Sequence, residues 1–455
     1  MKVVSMGTGY VGLTTGVAFA FLGHQVTCFD PDITKIEMLK AHKLPIYEPH
    51  LAELFLMAQN NLTFTSLEAE IGLNSADVIF ISVGTPSLPD GRADMKYVRQ
   101  ASEMIGRNLG ENFTVVVNKS TVPIGSGNWV SSLIRDAYFQ KNNQRPDDKF
   151  AMASNPEFLR QGSALFDTLF PDRVVIGGEN PRVLDIMTNL YRPILNQTFP
   201  SPDFLPRPEN LGGVPLLSCD LASAELIKYA ANAFLALKIS YINEIGMLAT
   251  KVGADVTQVA RGIGLDSRIG PRFLEAGIGW GGSCFGKDTA ALVATANEYG
   301  MSMPIVQAAR EVNYHMRVWV VDQLLSELKI LKGRTIAFLG VAFKENTDDL
   351  RDAPSIDIAR NLLERGVKVR AHDPVALENA RRQYNDLGIT FLDDPLETVE
   401  EADAVVLITK WPEYRKLSWA QIKTKMQGKL VLDGRNFLPR QELETLGFTL
   451  IDVGK

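Results

Sequence analysis

The stretch GIGWGGSCFGKDTAAL, residues 277–292, combines glycines with one cysteine and one aspartate. The apolar pattern after Thr289 is helical, which places Cys284 just ahead of a helix N-terminus, where unpaired N–H groups and the helix dipole favour a thiolate. The preceding glycines leave room for a substrate, and Asp288 lies over the same turn and can hold a water or a proton. We therefore expect Cys284 to attack a carbonyl carbon; the alternative is a buried structural cysteine.

A second polar pair lies within the apolar sequence LIKYAANAFLAL. Lys228 and Asn232 are four positions apart and therefore share one face of a helix. A lysine half-buried there can hold its ammonium beside a developing oxyanion, with the asparagine amide as a second donor. The alternative is a lysine whose charged end reaches solvent, beside a buried asparagine with satisfied hydrogen bonds.

The N-terminus carries a third chemical signal. The strand-like KVVSM is followed by GTGYVG with Gly7, Gly9 and Gly12, by a helical run, and by a second strand that ends at Asp30. Between a strand and a helix, such glycines allow a tight turn, the approach of a pyrophosphate and close helix packing, while the acid binds a ribose. Because the carboxylate repels a 2′-phosphate, we expect NAD rather than NADP. The alternative is an ordinary glycine turn.

Together these residues predict a particular oxidation. A nicotinamide cofactor takes up hydride, and a nucleophilic cysteine is useful when the oxidised product is an aldehyde. Thiolate attack gives a thiohemiacetal, a second hydride transfer gives a thioester, and water then releases a carboxylate. The sequence therefore predicts the four-electron oxidation of an alcohol, with two NAD reduced.

These residues require an α/β scaffold. Further strands are predicted in ADVIFISVGTP, NFTVVVNKSTVP and KFAMASNPEFL. The first two are continuously apolar, as is typical of parallel strands covered on both faces. Their polar turns are expected to border a ligand crevice at the carboxyl ends of the strands, although each also fits ordinary turn chemistry. Residues 200–215 are rich in proline and glycine and predict a linker or a long surface loop.

The central part of the chain predicts a long helix. Helical composition continues without a break through DLASAELIKYAANAFLALKISYINEIGMLATKVG, with Asp220 or Ser223 as its cap. Since apolar residues lie on most of its faces, we expect a buried connector between domains and a dimer surface.

A second α/β pattern begins at Gly333, but FLGVAFKENTDD lacks the second and third glycines of a dinucleotide site. This region is expected to bind a different phosphate ligand, or none. The predicted fold is thus α/β, with two Rossmann-like doubly wound domains joined by a long central helix and a small helical region. The predicted boundaries are 1–215, 216–318 and 319–455.

The composition argues against several other classes of protein. The chain has 455 residues, enough for two or three domains, with 47 basic and 53 acidic side chains and no Lys/Arg run, which disfavours a nucleic-acid or membrane partner. No apolar run approaches the ~18 residues of a membrane span, and the first residues resemble a strand rather than a signal peptide. Cys28, Cys219 and Cys284 are too scattered for a disulfide framework or a zinc site. We expect a cytoplasmic protein without a metal.

The chain resembles the UDP-glucose/GDP-mannose dehydrogenase family along almost its whole length. The matching stretches include GTGYVGL, PIYEP, SVGTP, KSTVPIGS, NPEFLRQGSA, AELIKYAANAFLALKISYINEIG, GLDSRIGPRFLEAGIGWGGSCFGKD, FLGVAFKENTDDLRDAPS and LDGRNFL. GGSCF and FKENTDDLRDAPS are similar to the UDP-glucose branch. The resemblance implies NAD-dependent oxidation of UDP-glucose to UDP-glucuronate, in a homodimer or higher homo-oligomer formed through the central helical region.

The resemblance also implies roles for individual residues. The catalytic positions are matched by Cys284 (nucleophile), Lys228 and Asn232 (oxyanion), Asp288 and Thr121 (catalytic water) and Glu157 (acid–base carboxylate). The cofactor-binding positions are matched by Gly7, Gly9, Tyr10, Val11, Gly12, Asp30, Lys35, Thr85, Thr121, Lys287 and Arg351. The substrate-binding positions are matched by Glu157, Phe158, Leu159, Arg160, Lys228, Asn232, Arg268, Phe273, Leu274, Gly281, Phe343, Lys344 and Arg435. Arg268 matches an arginine that reaches into the neighbouring subunit's site.

One departure from relatives concerns the turn after the cysteine, where Gly286 replaces a frequent proline and predicts a looser turn. Three other functions fit parts of the sequence. The same chemistry can act on GDP-mannose or a UDP-N-acetylhexosamine. A two-electron NAD dehydrogenase needs only a structural Cys284, and a catalytically silent protein binds the nucleotide sugar alone.

Overall fold

The computed structural model describes all 455 residues, which form two compact units. The first unit comprises Met1–Ala231 and Ala290–Tyr299, and the second comprises Asn232–Thr289 and Gly300–Lys455. Each unit contains its own mainly parallel sheet. This confirms the prediction of an α/β fold with two Rossmann-like doubly wound regions.

An eight-stranded sheet forms the centre of the first unit. Its strands are β1 (Lys2–Met6), β2 (Gln25–Phe29), β3 (Leu62–Thr65), β4 (Val78–Ile81), β5 (Thr114–Asn118), β6 (Phe150–Ser154), β7 (Val174–Gly177) and β8 (Leu216–Cys219). The order across the sheet is β3-β2-β1-β4-β5-β6-β7-β8. Only β6 and β7 pair antiparallel, through Ser154 and Gly177. Strands β4 and β5 are buried along their whole length, as predicted from their continuous apolar runs.

Helices cover both faces of this sheet. They are α1 (Tyr10–Phe21), α2 (Ile33–Lys40), α3 (Leu51–Ala58), α4 (Lys96–Asn108), α5 (Ser126–Asn142), α6 (Ala164–Leu169) and α7 (Pro181–Leu195), with short 3₁₀ turns at Gln59–Asn61, Glu68–Glu70 and Leu73–Ser75. Alternate residues of β4 enter two separate cores: Val78 and Phe80 pack on the side of α1, and Ile79 and Ile81 on the side of α4. The two-residue period of a strand thus separates the layers.

The proline-rich residues 200–215 are part of the first unit rather than a linker. Leu205 and Val214 are buried in the same core as α1 and α7. The chain then continues directly into β8, which pairs in parallel with β7 and ends the sheet. Of the two predicted alternatives, the long loop is confirmed and the linker was wrong, because proline and glycine show where regular structure stops but not whether the irregular segment packs against a core.

The second unit repeats the same strand order on a smaller sheet. Its strands are β9 (Thr335–Leu339), β10 (Lys368–His372), β11 (Thr390–Phe391), β12 (Ala404–Leu407), β13 (Leu430–Asp433) and β14 (Thr449–Asp452). The order is β11-β10-β9-β12-β13-β14, and every neighbouring pair is parallel. The strand order reverses direction beside β9, as it does beside β1 in the first unit, which is typical of a doubly wound fold.

The remaining helices include the predicted central one. They are α8 (Leu221–Val252), α9 (Val256–Gly264), α10 (Phe285–Glu298), α11 (Pro304–Leu328), α12 (Pro354–Glu364), α13 (Leu377–Gln383), α14 (Pro395–Thr398), α15 (Pro412–Arg415), α16 (Trp419–Lys425) and α17 (Arg440–Thr445). Helix α8 has 32 residues, and the Asp220 carboxylate caps its start by accepting bonds from the backbone N–H and the hydroxyl of Ser223. None of the helices combines the length and the apolar character needed to cross a membrane.

Candidate active site

The predicted catalytic residues divide between the two units. Thr121, Glu157 and Lys228 belong to the first unit, and Asn232, Cys284 and Asp288 belong to the second. Lys228 and Asn232 are both on α8, one helical turn apart.

The glycine turn between β1 and α1 has the shape that a dinucleotide pyrophosphate requires. Gly7 has φ +104°, and a Cβ there would stand 2.6 Å from the carbonyl oxygen of Ser82. A Cβ on Gly12 would stand 2.0 Å from the carbonyl oxygen of Gly7, whereas Gly9 faces open space. Tyr10 begins α1, and no side chain caps this helix at Gly9. Its first N–H groups are therefore able to bind a phosphate.

Asp30 directly follows β2 beside this turn, one position beyond the strand that the sequence predicts to end there. Its Oδ2 accepts hydrogen bonds from the backbone N–H of Thr8 at 2.9 Å and from the Thr8 hydroxyl at 2.8 Å. Its Oδ1 accepts the N–H of Asp32 at 3.1 Å, and Lys35 Nζ lies 3.7 Å from Oδ2. These contacts fix the carboxylate at the position where an adenosine ribose would bind. The residues present therefore fit NAD.

The corresponding acid of the second unit has a different environment. Asp373 directly follows β10, as Asp30 follows β2, but only 1% of it is exposed. Its two oxygens accept bonds of 2.8–3.2 Å from Val341 N, Ala342 N, Val375 N, Ala376 N and Trp411 Nε1. Five donors leave this carboxylate without capacity for a ribose. The second unit is therefore not a dinucleotide site, in agreement with its missing glycines.

The turns after β4 and β5 are joined by hydrogen bonds. The Thr85 hydroxyl donates to the carbonyl oxygen of Thr121 at 2.8 Å. The neighbouring Ser120 hydroxyl donates to the carbonyl oxygen of Val83 at 2.7 Å. Two predicted cofactor residues, Thr85 and Thr121, thus lie together at the carboxyl edge of the sheet, as expected for parallel strands.

Lys228 forms a buried ion pair with Glu157. Its Nζ lies 2.8 Å from Oε1 and 2.6 Å from the carbonyl oxygen of Glu157, and both side chains are less than 10% exposed. Burial raises the pKa of Glu157, but attraction to Lys228, its hydrogen bond and the N–H of Leu159 outweigh burial and leave that pKa below its ordinary value. The lysine is therefore held by a carboxylate, and its charged end does not reach solvent.

The residues after Glu157 form a short polar loop before α6. Phe158 stacks under Arg173, whose guanidinium carbon lies 3.8 Å from the ring centre. Arg160 binds the Asp167 carboxylate through Nε at 3.0 Å and Nη2 at 2.6 Å. In this loop Phe158 therefore packs against Arg173 and Arg160 is engaged by Asp167, and the roles of Phe158, Leu159 and Arg160 in substrate binding stay predictions.

Cys284 immediately precedes α10, as predicted. Its carbonyl oxygen accepts the N–H of Asp288 at 2.8 Å, the first bond of the helix. The Ser283 hydroxyl lies 3.6 Å from Sγ. Cys28 offers a contrast within the same chain, because it is fully buried and burial raises its pKa to about 12. Cys28 has the surroundings of a structural cysteine, whereas Cys284 is partly exposed at a helix N-terminus.

Asp288 connects two other predicted residues. The Asn232 amide donates to Asp288 Oδ2 at 2.6 Å, and Lys287 Nζ donates to Oδ1 at 2.6 Å. Asp288 is 1% exposed, and a buried carboxylate needs hydrogen-bond and ion-pair partners such as these two. Asn232 is thus a buried asparagine with a carboxylate partner, and Lys287, a predicted cofactor contact, is an ion-pair partner of Asp288.

Side chains that sequence reasoning missed hold the glycine-rich loop before Cys284. Asn313 in α11 accepts the N–H of Trp280 at 2.7 Å and donates to its carbonyl oxygen at 3.0 Å, as a neighbouring β-strand would. Arg317, one turn further, donates to the same oxygen at 2.8 Å. Asn243 in α8 accepts the N–H of Gly277 at 2.8 Å. For Asn313 and Arg317, four positions apart in α11, the available signal was the spacing that selected Lys228 and Asn232, whereas Asn243 has no polar residue four positions away and gives no such signal.

Close packing explains several glycines around Cys284. A Cβ on Gly281 would stand 2.3 Å from the carbonyl oxygen of Asp352, and one on Gly282 would stand 2.8 Å from the Phe343 ring. Gly286 lies inside α10, where a Cβ would stand 2.7 Å from Asp352 Oδ2. The prediction of a looser turn at Gly286 was therefore wrong, because this glycine permits a close approach.

The structure places the other predicted substrate residues around this loop or elsewhere in the second unit. Arg435 donates from Nη1 to the Gly279 carbonyl oxygen at 3.0 Å, and burial lowers its pKa to about 10. Arg351 binds Asp349 through Nε and Nη2, and its carbonyl oxygen accepts the N–H of Gly282 at 2.9 Å. The remaining positions are Phe273 (φ +64°), the buried Leu274, Lys344 with Nζ 5.7 Å from the Phe343 ring centre, and the exposed Arg268, paired with Asp266.

The chain has two Rossmann-like units, of which only one has a dinucleotide turn, and a cysteine at a helix N-terminus. These features define the class of an NAD-dependent dehydrogenase with a second nucleotide-binding unit. The chain belongs to the UDP-glucose/GDP-mannose dehydrogenase family. Residues 1–195 match its NAD binding domain, residues 222–315 its central domain, and residues 337–440 its UDP binding domain. NAD is therefore the cofactor.

Similar proteins cover the whole chain. The chain is 43% identical over 462 residues to UDP-glucose 6-dehydrogenase of Rhizobium meliloti strain 1021, covering 100% of both proteins. It is 41% identical over 456 residues to UDP-glucose 6-dehydrogenase TuaD of Bacillus subtilis strain 168, covering 100% of this chain and 93% of that one. A solved UDP-glucose dehydrogenase from Pyrobaculum islandicum superposes with a TM-score of 0.87 at 38% identity, covering 100% of this chain and 97% of the other.

Proposed function

We propose that the protein oxidises UDP-glucose to UDP-glucuronate in two NAD-dependent steps, through intermediates bound to Cys284. The observation that carries this proposal is the arrangement on α8. Lys228 and Asn232 lie one helical turn apart. Lys228 Nζ lies 2.8 Å from Glu157 Oε1, and the Asn232 amide donates to Asp288 Oδ2 at 2.6 Å. Asp288 is in the first turn of the helix that Cys284 precedes. A cation, an amide and two carboxylates are what an alcohol-to-carboxylate oxidation through a thioester requires.

Bound NAD supplies the hydride acceptor in each oxidation. In the first step, Lys228 and Asn232 stabilise the negative charge on the oxygen of the alcohol as its proton leaves. The Cys284 thiolate then adds to the aldehyde carbon, and the same two side chains stabilise the oxyanion of the thiohemiacetal. After the second oxidation, water adds to the thioester carbon and the thiolate leaves. Asp288 and Thr121 hold that water, and Glu157 takes up its proton. Overall, one alcohol, one water and two NAD give one carboxylate, two NADH and three protons.

UDP-glucose is the proposed sugar nucleotide for two reasons. GGSCF and FKENTDDLRDAPS are similar to the UDP-glucose branch of the family. In addition, relatives named UDP-glucose 6-dehydrogenase share 41% and 43% identity along the whole chain. On the same basis, we assign residues 1–215 to cofactor binding, 216–318 to catalysis and dimerisation, and 319–455 to UDP-sugar binding, and we place the enzyme in the cytoplasm.

Counting the NADH formed per UDP-glucose tests this function directly. With limiting UDP-glucose and excess NAD, absorbance at the NADH band should give a ratio near two. A ratio near one would make the protein a two-electron dehydrogenase and Cys284 a structural residue. No NADH from UDP-glucose, with turnover of GDP-mannose or a UDP-N-acetylhexosamine, would assign the chemistry to another sugar nucleotide.

We also propose that the protein is a homodimer formed through α8. Phe234, Tyr241 and Leu248 are spaced by seven residues, so they lie on one face of the helix, and each is about half exposed or more, at 61%, 49% and 57%. An apolar stripe of this kind favours a second copy of the same helix as its partner. Arg268, 87% exposed at its side chain, is then available to a neighbouring subunit.

A charge placed on this stripe should separate the subunits. The Phe234→Lys/Leu248→Lys double variant is expected to sediment as a monomer, because two ammonium groups would be desolvated at the interface. Leu56→Lys, at a 51% exposed leucine of α3, is the matched control and should leave the mass unchanged. A wild-type protein that sediments as a monomer at micromolar concentration would contradict the dimer.

A further inference from the structure

Two buried glutamates have no part in the reaction as proposed, yet they make the same unusual contact. Glu225 accepts the backbone N–H of Gly125 at 2.6 Å through Oε2 and that of Gly127 at 2.9 Å through Oε1. Glu48 accepts the N–H of Gly162 at 2.8 Å through Oε2 and that of Ala164 at 2.6 Å through Oε1. The glutamates are 3% and 5% exposed, respectively.

Both contacts cap the start of a helix from a distant part of the chain. The four backbone donors lie at the N-termini of α5 and α6, and neither helix has a side-chain cap of its own. Helix starts leave N–H groups without partners, and a carboxylate is the strongest acceptor for them. Glu225 comes from the first turns of α8, about one hundred residues later, and Glu48 from the segment just before α3.

Each capped helix follows a different ligand loop. The loop before α5 contains Thr121, which the proposed function assigns to the cofactor and the catalytic water. The loop before α6 contains Glu157 and the segment Phe158 to Arg160, which it assigns to the substrate. A shift at the start of either helix would therefore move one loop while leaving the other attached.

On the α8 side, the two loops are attached through neighbouring residues. Glu225 holds the start of α5, and Lys228, three positions later on the helix, holds Glu157. The first loop has two further attachments to the turn after β4, through Thr85 and Ser120. The second loop has Glu48 as its contact with the segment before α3. The cap at Glu48 thus fixes the far end of the substrate loop, as Glu225 fixes the far end of the cofactor loop.

We propose that Glu225 and Glu48 are a pair of positioning residues, Glu225 for the NAD loop and Glu48 for the UDP-glucose loop, each acting through the helix that it caps. This inference rests on the proposed function for the identity of the two ligands. It predicts that the two equivalent contacts, although chemically alike, affect different ligands. Capping that served stability alone would lower the unfolding temperature and leave both ligand affinities unchanged.

The test compares Glu225→Gln with Glu48→Gln in the full-length protein. Burial raises the pKa of Glu225 to about 7, so the comparison is made at pH 8, where its carboxylate is mostly charged. Glutamine has the same shape but keeps one acceptor oxygen and turns an NH₂ group toward the second N–H, so one charge-assisted bond is lost. Calorimetry measures the Kd of NAD and of UDP-glucose, each without the other. We expect Glu225→Gln to weaken NAD about tenfold and UDP-glucose no more than about twofold, and Glu48→Gln to show the reverse.

Each variant serves as the control for the other. Equal losses for both ligands in both variants, or no loss in either, would overturn the inference. If a glutamine variant fails to fold, the Asp variants at the same positions keep the charge and shorten the reach, and the same crossed pattern is expected with smaller shifts. A wild-type protein that binds NAD but not UDP-glucose would refute the proposed function. The Kd of NAD for Glu225→Gln would then still test the role of Glu225.

Discussion

Cys284→Ser should reduce steady-state NADH production from UDP-glucose by about a thousandfold or more while leaving the binding of NAD and UDP-glucose within about threefold of wild type. A serine hydroxyl at the start of α10 is far less nucleophilic than a thiolate, and an oxygen ester releases its acyl group more slowly than a thioester. The first oxidation does not need the sulfur. Rapid mixing of the variant with both ligands should therefore show at most one NADH per active site, followed by a stall.

The chain supplies a matched control for this experiment. Cys219, at the end of β8, is also partly exposed, but burial and the neighbouring Asp220 carboxylate raise the pKa of its thiol. Cys219→Ser should turn over at the wild-type rate. Wild-type turnover by Cys284→Ser would refute covalent catalysis, and a two-electron dehydrogenase would remain.

The second large effect is expected for Lys228→Met, which keeps the length of the side chain and removes its charge. Loss of one preorganised cation beside a developing oxyanion should lower kcat by about a hundredfold to a thousandfold. The variant should also unfold more easily by about 3–5 kcal/mol, because Glu157 would be left as a buried carboxylate without its partner. The measurements are kcat and the free energy of unfolding in urea.

A double variant separates the two effects. In Lys228→Met/Glu157→Gln the two charges of the buried pair are removed together, so much of the lost stability should return. Its kcat should stay low, because both side chains act in the proposed reaction. Lys251→Met, an exposed lysine in the last turn of the same helix, should change neither quantity. If kcat recovered together with stability in the double variant, Lys228 would be a structural residue and the oxyanion would need another donor.

Local chemistry made much of the architecture predictable. The turn with Gly7 and Gly12, the acid at the end of β2 and the long helix after Asp220 each depend on residues close together in sequence. The same is true of Cys284 at the start of α10. Backbone geometry and helix capping act over a few residues, so their signals survive in a single sequence.

The unpredicted features depend on contacts between distant residues. Asn313 reaches a peptide group 33 positions away, and Glu48 reaches residues 114 and 116 positions away. A buried polar side chain shows that it needs a partner, but not which one. Likewise, the composition of residues 200–215 indicates irregular backbone but contains no information on the core that buries Leu205. The proposed roles of the site residues therefore stay predictions that the variants above test.

The fully bonded carboxylate of Asp373 has a consequence for the timing of the proposed reaction. Five donors occupy it, so the second Rossmann-like unit has no place for a spare dinucleotide, and both oxidations must draw on the single cradle formed by Gly7 and Asp30. The sugar aldehyde must then stay bound while NADH leaves and a second NAD binds. The reaction therefore depends on retention of that aldehyde more than on the rate of either oxidation. Processive oxidation requires either a covalent bond from the aldehyde carbon to sulfur or a closed pocket around it.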